Sequence, residues 1–423
     1  MSAARTRNAL YAQSGGPTAV INATASAVIE AARAAPRRIG RLYAARGGIL
    51  GVLHEDLIDT SRESPAAVRA LRHTPGAAFG TCRYKLKGLD EDHARYARIV
   101  EVLRAHDIGW FFYNGGNDSA DTALKLSQLS AGLGYPLVAI GIPKTIDNDL
   151  VGTDCCPGFG SAAKFVATAI REAGIDLASM SGTSTQVFVL EVMGRHAGWL
   201  TAACALAGRT PREAPHLLLV PEIRFDLTRF LARVRDTVKR RGCCVVAVSE
   251  GLRDSEGRFL AEAGTVDAFG HAQLGGVAPR IAALVQSKLG FKTHWAVADY
   301  LQRAGRHIAS RTDLAQALAV GRAAVKLALA GRNAVMPGIV RRSDRPYRWT
   351  VRAVPLAQVA NRERKLPRAY LSADGLHVSA AGRRYLAPLI AGEAPVLWRE
   401  GLPVHARLRL ARVPRRLRTR FAS

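Results

Sequence analysis

The stretch Gly141-Ile142-Pro143-Lys144-Thr145-Ile146-Asp147-Asn148-Asp149 completes an apolar run that begins at residue 135 and is typical of a buried strand. Two carboxylates two residues apart at a strand end project to the same side, with a lysine and a hydroxyl just upstream. Such a group of side chains can deprotonate an alcohol beside a bound metal phosphate. The stretch therefore predicts phosphoryl transfer at the end of a strand.

Short apolar runs alternate with helical patterns along the rest of the chain. Residues 9–13 read as a strand followed by a glycine turn and a helix at about 18–34, and a second turn joins the strand at 108–113 to a helix that opens at Ser119. Further strands are predicted at residues 135–142, 186–192, 216–220 and 243–249. This alternation implies parallel sheets with helices on both faces, and ligands bind beyond the carboxyl ends of such strands.

The length of 423 residues exceeds what one hydrophobic core normally serves, so two lobes are expected. A hydrophobic content of 48% with 22% charged residues is ordinary for a globular protein and argues against disorder over most of the chain. We therefore predict an α/β fold with two Rossmann-like lobes, mostly parallel sheets and an active site in the cleft between the lobes.

The chain is strongly basic, with 60 Lys and Arg against 34 Asp and Glu and a formal net charge of +26. Most of the excess is scattered arginine, and the one dense cluster lies at residues 412–420. We interpret this cluster as a solvated tail rather than a nucleic-acid site, because no aromatic residues interleave with it as a stacking platform requires. A positive field also attracts small polyanionic substrates.

The six cysteines show no Cys-x-x-Cys pattern and no metal-like spacing, which is typical of reduced, mostly buried thiols in a cytosolic protein. The first residues lack the apolar segment of a signal peptide, and no run approaches the ~18 apolar residues of a membrane span. We expect a cytoplasmic protein with no membrane partner.

Two glycine-rich turns follow the first predicted strands. In Ser14-Gly15-Gly16-Pro17-Thr18 the glycines would let backbone N–H groups approach an anion at a helix N-terminus, although a tight structural turn explains them equally well. In Gly115-Gly116-Asn117-Asp118-Ser119 the amide and carboxylate oxygens suit Mg²⁺, and the alternative is that Asp118 or Ser119 caps the helix.

Together the motifs resemble those of the phosphofructokinase family, in the same order, from about residue 9 to about residue 340. The motifs that carry the resemblance are Gly15-Gly16-Pro17, Gly115-Gly116-Asn117-Asp118-Ser119, Pro143-Lys144-Thr145-Ile146-Asp147-Asn148-Asp149, Met193-Gly194-Arg195, Ser249-Glu250-Gly251 and Tyr300-Leu301-Gln302-Arg303. The resemblance implies an enzyme that phosphorylates the 1-hydroxyl of fructose 6-phosphate, with Mg²⁺ as cofactor, in glycolysis and its reversal. It also implies a homodimer or homotetramer.

The resemblance assigns roles at the reacting end of the substrates. Asp147 matches the general base, and Thr145 and Asp149 match neighbours that contact the substrate and, through water, the metal. The remaining residues implied here are the donor-phosphate arginine Arg83, the metal-binding position Asn117, the catalytic residues Lys144 and Asp118, and the substrate contacts Gly15 and Ile146.

The resemblance also assigns the sugar phosphate. Met193, Gly194 and Arg195 match the sugar-binding turn, where a guanidinium can meet the sugar and the transferring phosphoryl group as a planar fork. Glu250 matches an acceptor of hydrogen bonds from sugar hydroxyls. Tyr300 and Arg303 match binders of the sugar 6-phosphate, and Leu301 and Gln302 between them are expected to contact the substrate.

Asp118 and Lys144 bear on the phosphoryl donor, because ATP-using members carry glycine at both positions. A carboxylate at Asp118 would occupy space and add negative charge near the α-phosphate of a nucleotide. Lys144 adds a compact positive charge beside a donor that lacks adenosine. Both features resemble the pyrophosphate-dependent branch, and an ATP-dependent enzyme is the alternative within the family.

Some positions depart from the pattern of the family. Asn117 stands where many relatives have a metal-binding aspartate, so its amide oxygen, Asp118 or the substrate phosphates must hold the metal. Gln186 stands where ATP-using relatives place an arginine that reaches the neighbouring subunit, and Ala304 replaces a glycine. A heptulose phosphate therefore remains an alternative sugar. A non-catalytic sugar-phosphate-binding protein, or an anion-binding protein using the basic tail, is the alternative from another class.

Within the resemblance, the lobes can be assigned to parts of the chain. Residues 1–160 with about 302–350 are expected to form the phosphoryl-donor lobe. About 161–301 are expected to form the sugar-phosphate lobe. About 351–423 are expected to form a C-terminal extension that ends in the basic tail.

Overall fold

A computed structural model describes residues 6–88, 90–210, 212–266 and 272–421. The seven strands of its larger sheet are β1 Arg7–Gln13, β2 Ile39–Ala45, β3 Leu57–Asp59, β4 Ile108–Gly115, β5 Val138–Pro143, β12 Val335–Asp344 and β13 Tyr347–Pro355. Their order across the sheet is β13-β12-β5-β4-β1-β2-β3. The five strands from β12 to β2 run parallel, and β3 and β13 pair antiparallel at the two edges.

A smaller sheet in the second lobe consists of β6 Val187–Val192, β7 Leu217–Leu219, β8 Cys244–Ser249 and β11 Thr293–Val297. These four strands run parallel, in the order β11-β6-β8-β7. Short antiparallel pairs are formed by β9 Glu262–Val266 with β10 Ala272–Leu274 and by β14 Trp398–Arg399 with β15 Leu402–Pro403. The predicted α/β fold with two lobes and mostly parallel sheets is confirmed.

Helices cover both faces of each sheet, as crossovers between parallel strands require. The helices are α1 Ile21–Arg33, α2 Ile49–Leu53, α3 Pro65–Ala70, α4 His93–Ala105, α5 Asn117–Gly132, α6 Phe159–Met180, α7 Trp199–Cys204, α8 Leu227–Arg241, α9 Val277–Leu289, α10 Leu301–Ala304, α11 Arg311–Leu329 and α12 Ala380–Leu386. The predicted strands are found with small shifts at their ends. The helix expected to open at Ser119 begins two residues earlier, at Asn117.

Strand residues alternate between two hydrophobic clusters because side chains of a strand point to opposite faces. In β1, Tyr11 belongs to a core shared by both lobes, and Leu10 belongs to the outer core beneath α4 and α5. In β8, Val245 faces the shared core and Val246 faces the core beneath α8 and α9. The two sheets therefore pack on one hydrophobic core, which holds the carboxyl ends of their strands across a cleft.

The chain after β13 runs over both lobes and ends as an extended strap, residues 404–421, on the larger lobe. The arginine side chains at residues 412–420 are exposed, as the interpretation of a solvated tail requires. The backbone of the strap is nevertheless docked, because its N–H groups bind buried carboxylates. Arg416 N donates to Glu55 Oε1 at 2.6 Å, and Leu410 N donates to Glu63 Oε1 at 2.8 Å. The division of the chain into donor lobe, sugar lobe and extension stays a prediction, and its outermost residues, 1–5 and 422–423, lie outside the described residues.

All six cysteines are free thiols, and five of them are buried while Cys82 is partly exposed. This confirms the expectation of reduced, mostly buried thiols. In the part of the chain that the structure describes, no helix combines the length and the apolarity that crossing a membrane requires.

Candidate active site

A cavity of about 980 Å³ lies between the carboxyl ends of the strands of the two lobes. Most of the residues singled out from the sequence line it: Gly15, Arg83, Asn117, Asp118, Lys144, Thr145, Ile146, Asp147, Asp149, Met193, Arg195, Glu250, Tyr300, Gln302 and Arg303. Gly194 and Leu301 do not line it. The position of this cleft is the one expected for parallel α/β sheets.

The two carboxylates stand on a tight turn after β5. Thr145 Oγ1 accepts a hydrogen bond from Asp147 N at 3.0 Å. Asn148, fully buried between the carboxylates, adopts a φ of 54°, a left-handed conformation that asparagine tolerates better than most residues. Its Oδ1 accepts from Cys156 N at 3.0 Å. These hydrogen bonds fix the backbone of the turn, which directs the side chains of Asp147 and Asp149 toward the cleft.

Burial sets the electrostatics of this turn. Loss of water raises the pKa of Asp147, and the charges of Asp149 and Glu250 raise it further, whereas Lys144 and Arg83 oppose the shift. Burial also raises the pKa of Asp149 and lowers that of Lys144 to about 8. Asp147 thus has a proton affinity far above that of an ordinary carboxylate, which is the property required of a general base.

The first glycine turn, between β1 and α1, brings backbone and cations together. Lys144 Nζ donates to Gly16 O at 2.8 Å. A Cβ atom at Gly16 would lie 2.5 Å from Nη1 of Arg303 and 3.7 Å from Nη2 of Arg83, so a side chain here would displace the Arg303 guanidinium. Three cationic side chains converge on one loop, which suits a substrate with several phosphate charges.

The second glycine turn, between β4 and α5, carries oxygen ligands and an ion pair. Asn117 Oδ1 is buried and has no hydrogen-bond partner in the part of the chain that the structure describes, and the same holds for Asp149 Oδ1. Asp118, in the first turn of α5, pairs with Lys85 at 2.9 Å between Oδ1 and Nζ. The two unpaired oxygens fit a hard cation such as Mg²⁺.

No group of three or more His, Cys, Asp or Glu side chains placed to hold a metal occurs within residues 6–88, 90–210, 212–266 and 272–421. A cation here would therefore have few protein ligands and would depend on substrate phosphates, as Mg²⁺ commonly does.

The smaller lobe contributes another turn to the cleft, the turn that follows β6. Gly194 has a φ of 143° and a Cβ on it would lie 2.6 Å from Ala197 O, so only glycine fits. Glu250 Oε1 accepts from Gly194 N at 3.1 Å, and Gln302 Oε1 accepts from Met193 N at 3.2 Å. Burial raises the pKa of Glu250. The turn, β8 and α10 thus form one unit beside Arg195.

Arg303 crosses from this unit to the larger lobe. Its guanidinium stacks 3.8 Å from the ring centre of Tyr300 and reaches the Gly16 loop. Leu301 is 66% exposed and points away from the cleft. Its expected contact with substrate therefore has no geometric support within one chain.

Sequence reasoning missed several residues that line the cleft: Lys85, Glu191, Asn361 and Glu363. Glu191 was detectable as a lone carboxylate in the apolar strand β6, where its side chain accepts from Ala278 N at 2.8 Å. Lys85 follows Arg83 by two residues. Asn361 and Glu363 gave no local signal, because only the path of the chain brings them to the cleft.

The model of the family described as "Phosphofructokinase" matches residues 8–328 of this chain. The chain is 61% identical over 416 residues to a pyrophosphate–fructose 6-phosphate 1-phosphotransferase of Methylococcus capsulatus, covering 98% of this chain and 99% of that protein. It is 60% identical to the enzyme of the same name from Halomonas elongata, covering 97% and 98%. A crystal structure of a pyrophosphate-dependent phosphofructokinase from Nitrosospira multiformis matches with a TM-score of 0.91 and 55% identity, covering 99% of this chain and 100% of that one.

Proposed function

Because the chain belongs to the phosphofructokinase family, we propose that it transfers a phosphoryl group from pyrophosphate to the 1-hydroxyl of fructose 6-phosphate. The products are fructose 1,6-bisphosphate and phosphate, and the reaction is reversible because donor and product phosphates are similar in energy. The observation that carries the proposal is the partly buried Asp147 with its raised pKa, in one cleft with Lys144 and the Gly15–Gly16 loop.

Asp147 acts as the general base. It takes the proton of the sugar 1-hydroxyl while that oxygen forms a bond to the terminal phosphorus of pyrophosphate. The bond from this phosphorus to the bridging oxygen breaks, and the departing phosphate keeps the electron pair. In the reverse direction protonated Asp147 returns the proton. A raised pKa suits both directions, since the group must accept and release a proton near neutral pH.

The cationic side chains around the Gly16 loop bind the donor. Lys144 and Arg83 carry charge toward the site of bond breaking, where negative charge develops on the leaving phosphate. Arg195 and Glu250 hold the sugar, and Tyr300 with Arg303 holds its 6-phosphate. Arg303 also lies beside Gly16, which supports a contact of its guanidinium with the donor as well as with the sugar phosphate.

Asp118 selects the donor. Its carboxylate stands in the first turn of α5, where it repels the additional phosphate of a nucleotide, and it holds Lys85 at 2.9 Å in the cleft. The similar enzymes from Methylococcus and Halomonas both carry names that specify pyrophosphate. These names support pyrophosphate rather than ATP as the phosphoryl donor.

The decisive experiment is a kinetic comparison of pyrophosphate and ATP, each with fructose 6-phosphate and with sedoheptulose 7-phosphate. We expect turnover with pyrophosphate and fructose 6-phosphate. Turnover with ATP alone contradicts the donor, and a preference for the heptulose phosphate contradicts the sugar.

Mg²⁺ is the proposed cofactor. Asn117 and Asp149 would hold it, since each has a buried oxygen that no other described residue satisfies. When bound, the ion neutralises phosphate charge during transfer. Chelation with EDTA should abolish turnover, and Mg²⁺ added back should restore it. Asn117→Ala should raise the Mg²⁺ concentration required for half-maximal rate.

We expect the protein to form a homodimer or homotetramer. An apolar surface lies along edge strand β11 and the start of α10, where Trp295, Val297, Tyr300 and Leu301 are 50%, 39%, 58% and 66% exposed. Monomeric proteins rarely leave so many large side chains adjacent and exposed. Light scattering after size exclusion tests the oligomer, and Trp295→Glu should shift it toward monomer.

A further inference from the structure

The segment at residues 361–366, beyond the part of the chain that carries the family motifs, enters the cleft beside the carboxylate turn. Leu150 and Glu363 form an antiparallel bridge, and Arg364 N donates to Asp149 O at 2.6 Å. A stretch of the C-terminal region is thereby added as an extra strand-like segment along the turn that bears Asp147.

The guanidinium of Arg364 passes underneath this turn. Its Nε and Nη2 donate to Asn148 O at 3.2 and 3.0 Å. Its Nη1 donates to Thr153 O at 3.2 Å and to Asp154 O at 2.6 Å, and Nη2 also reaches Tyr385 Oη at 3.3 Å. All five N–H groups of the guanidinium thus have acceptors, and none of these acceptors is a carboxylate.

This pattern suits positioning of the backbone more than neutralisation of charge. Asn148 is held at a φ of 54°, and such a conformation persists only where its surroundings determine it. The carbonyl of Asn148 is bound twice by the planar fork of Arg364, and the carbonyl of Asp149 is bound by the backbone of the same residue. The directions of the Asp147 and Asp149 side chains follow from this backbone.

The other side of Arg364 rests on the smaller lobe. Its guanidinium lies 4.6 Å from the ring centre of Trp199, whose Nε1 donates to Arg364 O at 3.1 Å. Two residues later, Leu366 N donates to Glu222 Oε1 at 2.9 Å. Arg364 is therefore fixed on α7 of one lobe while it binds the carboxylate turn of the other.

We propose that Arg364 is a positioning residue for the general base: its guanidinium fork holds the Asn148 carbonyl, and so aims Asp147 across the cleft at the sugar hydroxyl. The inference rests on the proposed phosphoryl transfer. The proposal gives the segment at residues 361–366 an indirect role in the reaction. Arg364 supports the general base and does not itself contact the substrate.

The test compares Arg364→Met with Arg383→Met. Arg383, on α12, is partly buried like Arg364 and also binds two backbone carbonyls. Its acceptors are Gly208 O at 2.7 Å and Ala205 O at 2.8 Å, which lie outside the carboxylate turn. We expect Arg364→Met to lower kcat about 100-fold with KM values close to wild type, because displacement of a reacting group by about 1 Å has that effect. Arg383→Met should also lower Tm but leave kcat near wild type.

Arg364→Lys separates charge from geometry. A lysine keeps the charge but has three donors and no planar fork, so kcat should stay well below wild type. A wild-type kcat in Arg364→Lys, or equal kcat values in Arg364→Met and Arg383→Met, overturns the proposal.

Amide hydrogen exchange gives a readout that does not depend on turnover. Peptides covering residues 147–149 should exchange faster in both Arg364 variants than in wild type and Arg383→Met, because the turn opens locally. Unchanged exchange overturns positioning by Arg364. A wild-type protein that is inactive with pyrophosphate overturns the proposed function instead.

Discussion

Burial of Asp147 has two opposing consequences at the scale of a single residue. It gives the carboxylate the proton affinity of a base, and it makes the charged form unfavourable in the folded protein. The folded-state pKa is raised above the unfolded value, so the contribution of this group to stability is full below the unfolded pKa. That contribution is lost as pH rises toward the folded-state pKa. Function and stability therefore compete at this residue.

Asp147→Asn should slow turnover by about 10²–10⁴-fold, the usual contribution of a positioned base. The same variant should unfold at a higher temperature than wild type at pH 8, by about 1 °C for each kcal/mol gained in a chain of 423 residues. This gain should shrink at pH 5, because wild-type Asp147 is then protonated. Calorimetry at both pH values, with kinetics, measures the effect.

The control is Asp176→Asn, on the exposed side of α6, whose effect on Tm should be the same at both pH values. A stabilisation of Asp147→Asn that does not grow with pH contradicts the electrostatic account of this site.

Lys85 illustrates a charge that acts on substrate rather than on stability. Lys85 and Asp118 form an ion pair with side chains 44% and 32% exposed, and exposed pairs contribute about 0–1 kcal/mol to folding. We expect Lys85→Met to raise the KM for pyrophosphate about tenfold, which corresponds to about 1.4 kcal/mol, because Asp118 then repels the donor without compensation. Steady-state kinetics at varied pyrophosphate measures this change.

Lys87→Met is the matched control, since Lys87 lies on the same loop, pairs with Glu91 at 3.6 Å and does not line the cleft. An equal rise in KM for both variants assigns the effect to general charge and removes the specific role of Lys85.

At the scale of elements, the C-terminal strap is bound through buried carboxylates. Glu55 accepts from the backbone N–H groups of Arg416 and Leu417 and also contacts His106 Nε2 at 2.7 Å. Glu63 accepts from Arg409 and Leu410. Removing the strap would leave both carboxylates without these partners, which costs more than a lost surface contact.

Deletion of residues 405–423 should therefore lower the free energy of unfolding by at least about 2 kcal/mol. Urea unfolding of the truncated and full-length proteins measures the difference. Arg418→Gln together with Arg420→Gln provides the control, because it removes two charges while the backbone contacts to Glu55 remain. A truncated protein as stable as the full chain, with polyanion binding lost, would restore the view of the tail as a separate anion-binding element.

At the scale of the whole molecule, the formal net charge of +26 surrounds a cleft that takes anionic substrates. Such a field speeds the encounter with polyphosphates and is screened by salt. We expect kcat/KM for pyrophosphate to fall steeply between about 50 mM and about 500 mM salt, with kcat much less affected. A kcat that falls in parallel would point to salt effects on the folded state instead.

The motifs could be read from the sequence because each lies at the end of a strand. Gly15, Asp118, Asp147 and Gly194 all follow apolar runs, and parallel strands bring their carboxyl ends to one edge. Predicted strands shifted by a few residues at their ends, but that did not alter which residues face the cleft. Local pattern was sufficient wherever the functional group and its support are close in the chain.

The contacts made by the C-terminal region could not be read in this way. Arg364 and Glu363 lie far along the chain from Asp147, and the docking of the tail backbone gave no local signal because its partners, Glu55 and Glu63, stand apart in the sequence.

The amino-acid sequence alone determined the α/β fold, the family and the residues that carry the phosphoryl-transfer motifs, because periodicity and turn residues act over short distances. Only the tertiary structure decided how Asp147 is buried, which segment supports its turn and where the strap docks. Those properties depend on contacts between residues far apart in the chain, which no local pattern encodes.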